Sequence, residues 1–158
     1  MSDVHLEESR TVPLPLEEAF DRVLPMPLDE LFVRRYGPIP AIKGTEQDGA
    51  WGTVGQTRKI LFADPGTMQE RLTLVERPHR FGYTISDITG PMKFLASTFD
   101  GRWTFIPDAD GTRITWAWEV HATRAGSLVM PLFGRLWRGY ARQSLAHLET
   151  LLTSPRRS

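Results

Sequence analysis

Arg58 and Glu70 are charged residues on strand faces otherwise made of apolar side chains, and a guanidinium beside a carboxylate in that setting can orient a polar ligand. Two alternating segments flank Asp64-Pro65-Gly66. Their inward parity carries Val54, Ile60 and Phe62 on one side and Met68, Leu72 and Leu74 on the other, with Gln56, Arg58 and Glu70 interspersed. A three-residue loop puts Arg58 diagonal to Glu70, within reach for two long side chains. There Arg58 would bind a carboxylate or polarise a carbonyl, and Glu70 would act as a base once desolvation raises its pKa. The same spacing also suits a purely structural cross-strand ion pair.

Other chemistry finds little support. His5, His79, His121 and His147 are scattered, with neither His-x-x-x-His nor His-Glu-x-x-His spacing, so no metal site is expected. Gly126-Ser127-Leu128 lacks a nucleophile elbow, and Gly52-Thr53-Val54-Gly55 is not followed by the Gly-Lys-Ser/Thr of a phosphate loop. No catalytic residue is assigned and no cofactor is expected. The aromatics Phe81, Tyr83, Phe99, Trp103, Trp116, Trp118, Trp137 and Tyr140 either line a cavity for a flat or lipidic molecule or fill a core.

The elements that must hold these residues follow from periodicity. Strands are predicted over 4–12, 42–47, 53–62, 68–76, 80–88, 94–106 and 112–123. The turns between the later ones are Asp48-Gly49, Asp64-Pro65-Gly66, Arg77-Pro78, Thr89-Gly90-Pro91 and Asp108-Ala109-Asp110-Gly111. Short helices over 16–24 and 28–35 are bounded by Pro15, Pro25, Pro27 and Pro38, and form a lid or wedge. Pairing across the last turn sets Pro107 against Thr112, Phe105 against Ile114, Trp103 against Trp116 and Phe99 against Val120, with a bulge expected at Asp100-Gly101. One long helix spans 126–154, its apolar row running Leu128, Leu132, Leu136, Tyr140, Ser144 and Leu148, flanked by Phe133, Trp137 and Leu151; Pro131 is expected to start or bend it. A lone broad-faced helix after a meander must bury itself against that sheet, and a sheet curled around it encloses a pocket.

Composition bounds the class. The 158 residues suit one domain, residues 1–158, and equal numbers of basic and acidic residues (19 each) argue against a nucleic-acid partner. Cysteine is absent, which excludes disulfide and thiolate chemistry. The acidic start lacks a secretory apolar run, and no segment approaches the roughly 20 apolar residues of a membrane span. A cytoplasmic protein with no stable membrane insertion is the expectation. The tail Arg156-Arg157 reads as a solvated end.

Ser9-Arg10-Thr11-Val12-Pro13, Pro15-Leu16-Glu17-Glu18-Ala19-Phe20, the stretch 52–58, Glu70-Arg71-Leu72 and Gly111-Thr112-Arg113-Ile114-Thr115-Trp116, in this order of elements, make the chain resemble the SRPBCC, or START-like and Bet v 1-like, superfamily. Within it the likeness is to the polyketide cyclase/dehydrase and lipid-transport grouping, over nearly the whole chain. The resemblance implies an α+β helix-grip fold, a curved antiparallel sheet around a long C-terminal helix with two short helices after the first strand. It also implies a cavity for a hydrophobic or amphipathic small molecule such as a lipid, polyketide or isoprenoid. Ligand-binding candidates are Arg58, Glu70, Tyr83, Phe99, Trp103, Trp116, Trp118, Leu136 and Tyr140. Three readings follow: a binder that transports, sequesters or senses its ligand; a cyclase or dehydratase using Glu70 or a tyrosine for proton transfer; and a protein–protein module like the chaperone activators of the same fold. The apolar stretch Val129-Met130-Pro131-Leu132-Phe133, with Met92 and Phe94, suits a mobile cavity entrance or a homodimer contact.

Overall fold

Alternation of apolar and polar residues gives seven strands, and every neighbouring pair is antiparallel: turns and loops join the successive strands of the meander, and the first strand pairs with the last across the length of the chain. In the computed structural model, which describes residues 3–47 and 49–154, these are β1 (Asp3–Val12), β2 (Ile42–Glu46), β3 (Thr57–Phe62), β4 (Thr67–Glu76), β5 (Arg80–Ser86), β6 (Ala96–Asp108) and β7 (Gly111–Ala122). They form one curved sheet in the order β1-β7-β6-β5-β4-β3-β2. Helices α1 (Leu16–Val23) and α2 (Leu28–Leu31) follow β1, and α3 (Arg124–Thr153) closes the chain. Asp48 of the expected Asp48-Gly49 turn and the Arg156-Arg157 tail lie outside the described residues.

The β6–β7 register is the expected one: Phe105 faces Ile114, Trp103 faces Trp116, and Phe99 faces Val120. The irregularity falls between Ala96 and Thr98, not at Asp100-Gly101. Gly101 instead sits in regular pairing opposite both Tyr83 and Trp118, because the Tyr83 ring lies across it; a Cβ there would come within 2.0 Å of that ring. The β3 strand begins at Thr57, not 53, since residues 49–56 form a tight loop. Val54 is exposed in it, and Gln56 spends its amide on it by accepting from Gly52 N (2.8 Å) and Thr53 N (2.6 Å) and donating to Ala50 O (2.8 Å). A bulge between Leu72 and Leu74 takes Leu74 off the buried parity.

Helix α1 plugs one end of the sheet. Its Phe20 ring meets Phe81 and Phe105 edge-on at 5.9 and 5.3 Å, and Asp21 takes Arg77 in a two-pronged pair at 2.7 Å. Arg22 donates to Leu152 O (2.7 Å) and Leu151 O (3.2 Å), satisfying carbonyls that the end of α3 leaves open. The second helix stops at Leu31, short of the expected 35. Phe32 turns in to stack on Tyr140 (5.6 Å) while its carbonyl accepts from Ile42 N (2.9 Å). The chain from 30 to 39 then straps along α3: Gln143 Nε2 donates to Arg34 O (3.2 Å), His147 Nε2 lies 3.0 Å from Glu30 O, and the Tyr36 ring rests on Gly139.

Helix α3 starts at Arg124 and runs through Pro131. Its first turns need no proline start because Thr123 caps them, its Oγ1 accepting from Gly126 N (2.9 Å) and donating to Phe94 O (2.6 Å). The buried stripe is Met130, Phe133, Trp137, Tyr140, Ala141, Ser144, Leu145, Leu148 and Leu152, whereas Leu128 and Leu132 face outward. An unbroken i, i+4 row drifts by about 40° per step, so the row from Leu128 to Leu148 passes roughly half-way around the helix. Only its C-terminal part can stay inward.

Two glycines of α3 should respond oppositely to alanine. At Gly126 a Cβ would lie 1.8 Å from the Leu95 carbonyl oxygen, whereas at Gly134 it would meet only the flexible Leu6 Cδ2, at 3.3 Å. Gly126→Ala is expected to lower unfolding free energy by about 1–3 kcal/mol. Gly134→Ala is expected to be neutral or to gain up to about 1 kcal/mol from helix propensity. Urea denaturation of both variants checks the pair.

Candidate ligand-binding cavity

Register delivers the charged pair. With β3 and β4 joined by a turn at 63–66, Arg58 lies directly opposite Glu70 and not diagonal to it, and Arg58 Nε donates to Glu70 Oε1 at 2.7 Å. Both side chains are buried, with about 4% of each exposed. Trp51, from the loop that Gln56 organises, covers the guanidinium with its ring centroid 4.0 Å from Arg58 Cζ. Burial pushes the Glu70 carboxyl above the usual carboxylate range, and the adjacent Arg58 only partly offsets that.

Two residues along the β4–β5 ladder from Glu70, opposite Leu72, stands Tyr83, which pairs with Gly101 on the far side. Its hydroxyl accepts two indole N–H groups, Trp116 Nε1 at 2.8 Å and Trp118 Nε1 at 3.0 Å. The stack continues through Trp103 on Trp116 (5.3 Å) and Phe32 against Trp116 (5.2 Å), and Tyr140 of α3 closes it from the opposite wall. Burial raises both phenol pKa values well above the usual value, and at Tyr83 the Glu70 charge adds to it against the opposing indole hydrogen bonds and Arg58, so both hydroxyls stay protonated donors.

These residues border a cavity of about 80 Å³ between the sheet and α3. Its wall is apolar apart from Arg58, Glu70, Tyr83 and Tyr140 and the indoles of Trp103, Trp116 and Trp118. Donors outnumber acceptors there. The Nη1 and Nη2 groups of Arg58, the Tyr140 hydroxyl and the proton of the Tyr83 hydroxyl have no protein acceptor among the described residues. Glu70 Oε2 is the lone acidic acceptor left over. Behind the wall, the buried Trp137 Nε1 also lacks a partner.

Arg58, Glu70, Tyr83, Trp103, Trp116, Trp118 and Tyr140 all line this space. Two candidates stand elsewhere. Phe99 is fully buried beneath Trp118 (4.6 Å), and Leu136 packs on the strap near Gly37. The expectation missed Leu31, Phe32 and Ile39, which line the cavity from the α1–α2 segment and the strap, and Trp51, which seats Arg58; Met92, named only for a cavity entrance or a dimer contact, lines the cavity from the loop before β6. The proline-bounded segments marked a wedge but gave no sign of which apolar residues would point inward. His5, bonded to Glu7 and Glu119, and His121, bonded to Asp3 (2.9 Å) and Asp100 (2.8 Å), lie on the outer face of the sheet.

A sheet gripping a long helix over an apolar cavity has relatives. The family model described as polyketide cyclase / dehydrase and lipid transport matches residues 3–153. The chain belongs to this family. No curated protein sequence matches it. Among solved structures, Ara h 8.0201 superposes with a TM-score of 0.66 at 16% identity, covering 98% of this chain and 100% of its own. Protein MLL2253 from Mesorhizobium loti does so with 0.70 at 16%, covering 96% and 100%. DynU16, from the dynemicin biosynthetic locus, gives 0.60 at 18% over 95% of this chain and 47% of its own. At these identities the likeness establishes the fold, which is the Bet v 1-like helix grip of the SRPBCC superfamily.

Removing one member of the buried pair strands the other. Arg58→Met is expected to cost about 3–5 kcal/mol of unfolding free energy, and the double change Arg58→Met/Glu70→Leu to cost much less than the single one. Urea denaturation of the two variants and the parent measures that difference; equal costs would show that the pair is not coupled.

Proposed function

We propose that the protein binds a small hydrophobic molecule carrying a hydrogen-bond-accepting oxygen, a ketone or ester carbonyl, in the cavity between sheet and α3. The observation that carries this reading is the surplus of donors without a protein acceptor, Arg58 Nη1 and Nη2 with the Tyr83 and Tyr140 hydroxyls, on residues that line an otherwise apolar cavity. Unmatched buried donors are costly, and a ligand oxygen relieves several at once. The Arg58–Glu70 pair is already neutral as a unit, so an uncharged carbonyl suits it better than a carboxylate, which would add a negative charge in an apolar setting. A volume of about 80 Å³ is small beside the roughly 300–1,000 Å³ of pockets for drug-sized molecules, so the buried part of the ligand is short or slender. Binding, and with it transport, sequestration or sensing, needs nothing beyond this geometry.

The cyclase or dehydratase reading rests on one feature, the raised Glu70 carboxyl beside a carbonyl-binding guanidinium, an arrangement that would suit proton removal next to a polarised carbonyl. It would require substrate turnover that Glu70→Gln abolishes while binding persists.

Acetophenone and ethylbenzene differ by the carbonyl oxygen at nearly equal shape, so they isolate the polar contribution. Quenching of the cavity tryptophans should report tighter binding of acetophenone. Tyr140→Phe, which removes a hydroxyl with no protein partner, should shrink that preference about five- to tenfold at unchanged stability. Equal affinities for the two probes in the parent protein would sink the reading.

A further inference from the structure

The first three turns of α3 carry side chains that the core does not use. Leu128, Val129 and Leu132 are 85, 49 and 61% exposed, and Phe94, in the 3₁₀ turn Pro91–Phe94, is 66% exposed. The two segments are fastened together by the Thr123–Phe94 hydrogen bond (2.6 Å) and by the tight seat of Gly126 on Leu95. The apolar knobs thus stand on a fixed ridge and not on a frayed end.

Their surroundings are basic. Lys93 and Arg124 are exposed beside them, and Arg135 and Arg138 continue the outward stripe of α3. From 120 to 148 the chain has four arginines and no aspartate or glutamate, although its charges balance overall at 19 and 19. Arg142 is paired with Glu8 on β1, and Glu7 is occupied by His5; Arg124, Arg135 and Arg138 have no carboxylate partner among the described residues.

We propose that this ridge docks the protein on an anionic lipid bilayer, with Phe94, Leu128 and Leu132 entering the headgroup–acyl boundary and Lys93, Arg124, Arg135 and Arg138 lying among the phosphates. Protruding apolar side chains flanked by unpaired arginines match a soft, negatively charged interface. A two-fold contact with a second copy would bring the same arginine-bearing stripe against itself, which like charges oppose. Met92, in the same turn as Phe94, lines the cavity, so the docked face also carries part of the cavity wall.

Flotation with vesicles of phosphatidylcholine, alone or mixed with phosphatidylglycerol, tests the docking without any cavity ligand, so it stands or falls apart from the carbonyl preference. The expected result is binding to the mixed vesicles only, lost in about half-molar salt as screening shortens to a few ångströms. Leu128→Ser/Leu132→Ser should lower the partition coefficient about tenfold, and Arg135→Gln and Arg138→Gln about fivefold each, all with unchanged melting temperatures. The proposal is overturned by failure of the parent to float, by equal flotation of parent and variants, or by a dimer in sedimentation that Leu128→Ser/Leu132→Ser dissolves. Capture by immobilised polyglutamate in place of vesicles would equally assign the ridge to an acidic protein.

Discussion

A guanidinium and a carboxylate inside an apolar wall are costly wherever their hydrogen-bonding capacity goes unanswered, and that cost organises the interior of this protein. Arg58 and Glu70 satisfy each other through one bond on the Nε edge. The flat face of the guanidinium is covered by Trp51, which explains why the 49–56 loop is tightly built around the Gln56 amide. The other edge of the guanidinium is left for the cavity. Filling that space with apolar side chains would strand its donors, so the hollow and the ion pair require each other.

The same logic extends through the aromatic wall. Tyr83 can lie flat across β6 only because position 101 has no side chain, and there its oxygen gathers the indole N–H groups of Trp116 and Trp118. Using both lone pairs this way turns the phenol proton outward. Tyr140 reaches the opposite wall because α3 is held by the 30–39 strap on one side and by Arg22 at its C-terminal carbonyls. A rigid helix and a glycine-relieved sheet therefore fix the donors from both walls.

Much of this was legible in the residues. Strict alternation around Trp103 and Trp116 allowed one sensible register, and Arg58 and Glu70 declared themselves as polar interruptions of apolar strands. Geometry that depends on a residue count in a turn was harder to read. The 63–66 turn shifted Arg58 from diagonal to directly opposite Glu70, and the bulge beyond Leu72 moved Leu74 off the buried face. Along α3 a four-residue rhythm suggested one face, but the helical drift placed Leu128 and Leu132 on the outside and gave the inward positions to Met130, Phe133 and Trp137. Trp51, Phe32 and Met92 come from loops and helix ends, where no periodicity marks which side chain turns inward.

The state of a bound carbonyl reports the central claim most directly. Infrared spectroscopy of acetophenone labelled with carbon-13 at the carbonyl, bound to the protein, isolates a C=O stretch that falls as hydrogen bonds to the oxygen strengthen. Donation from Arg58 and the two phenols predicts a frequency well below that of the same ketone in cyclohexane. A bound ketone that absorbs at the cyclohexane frequency would contradict the account, because its oxygen would then meet none of the buried donors.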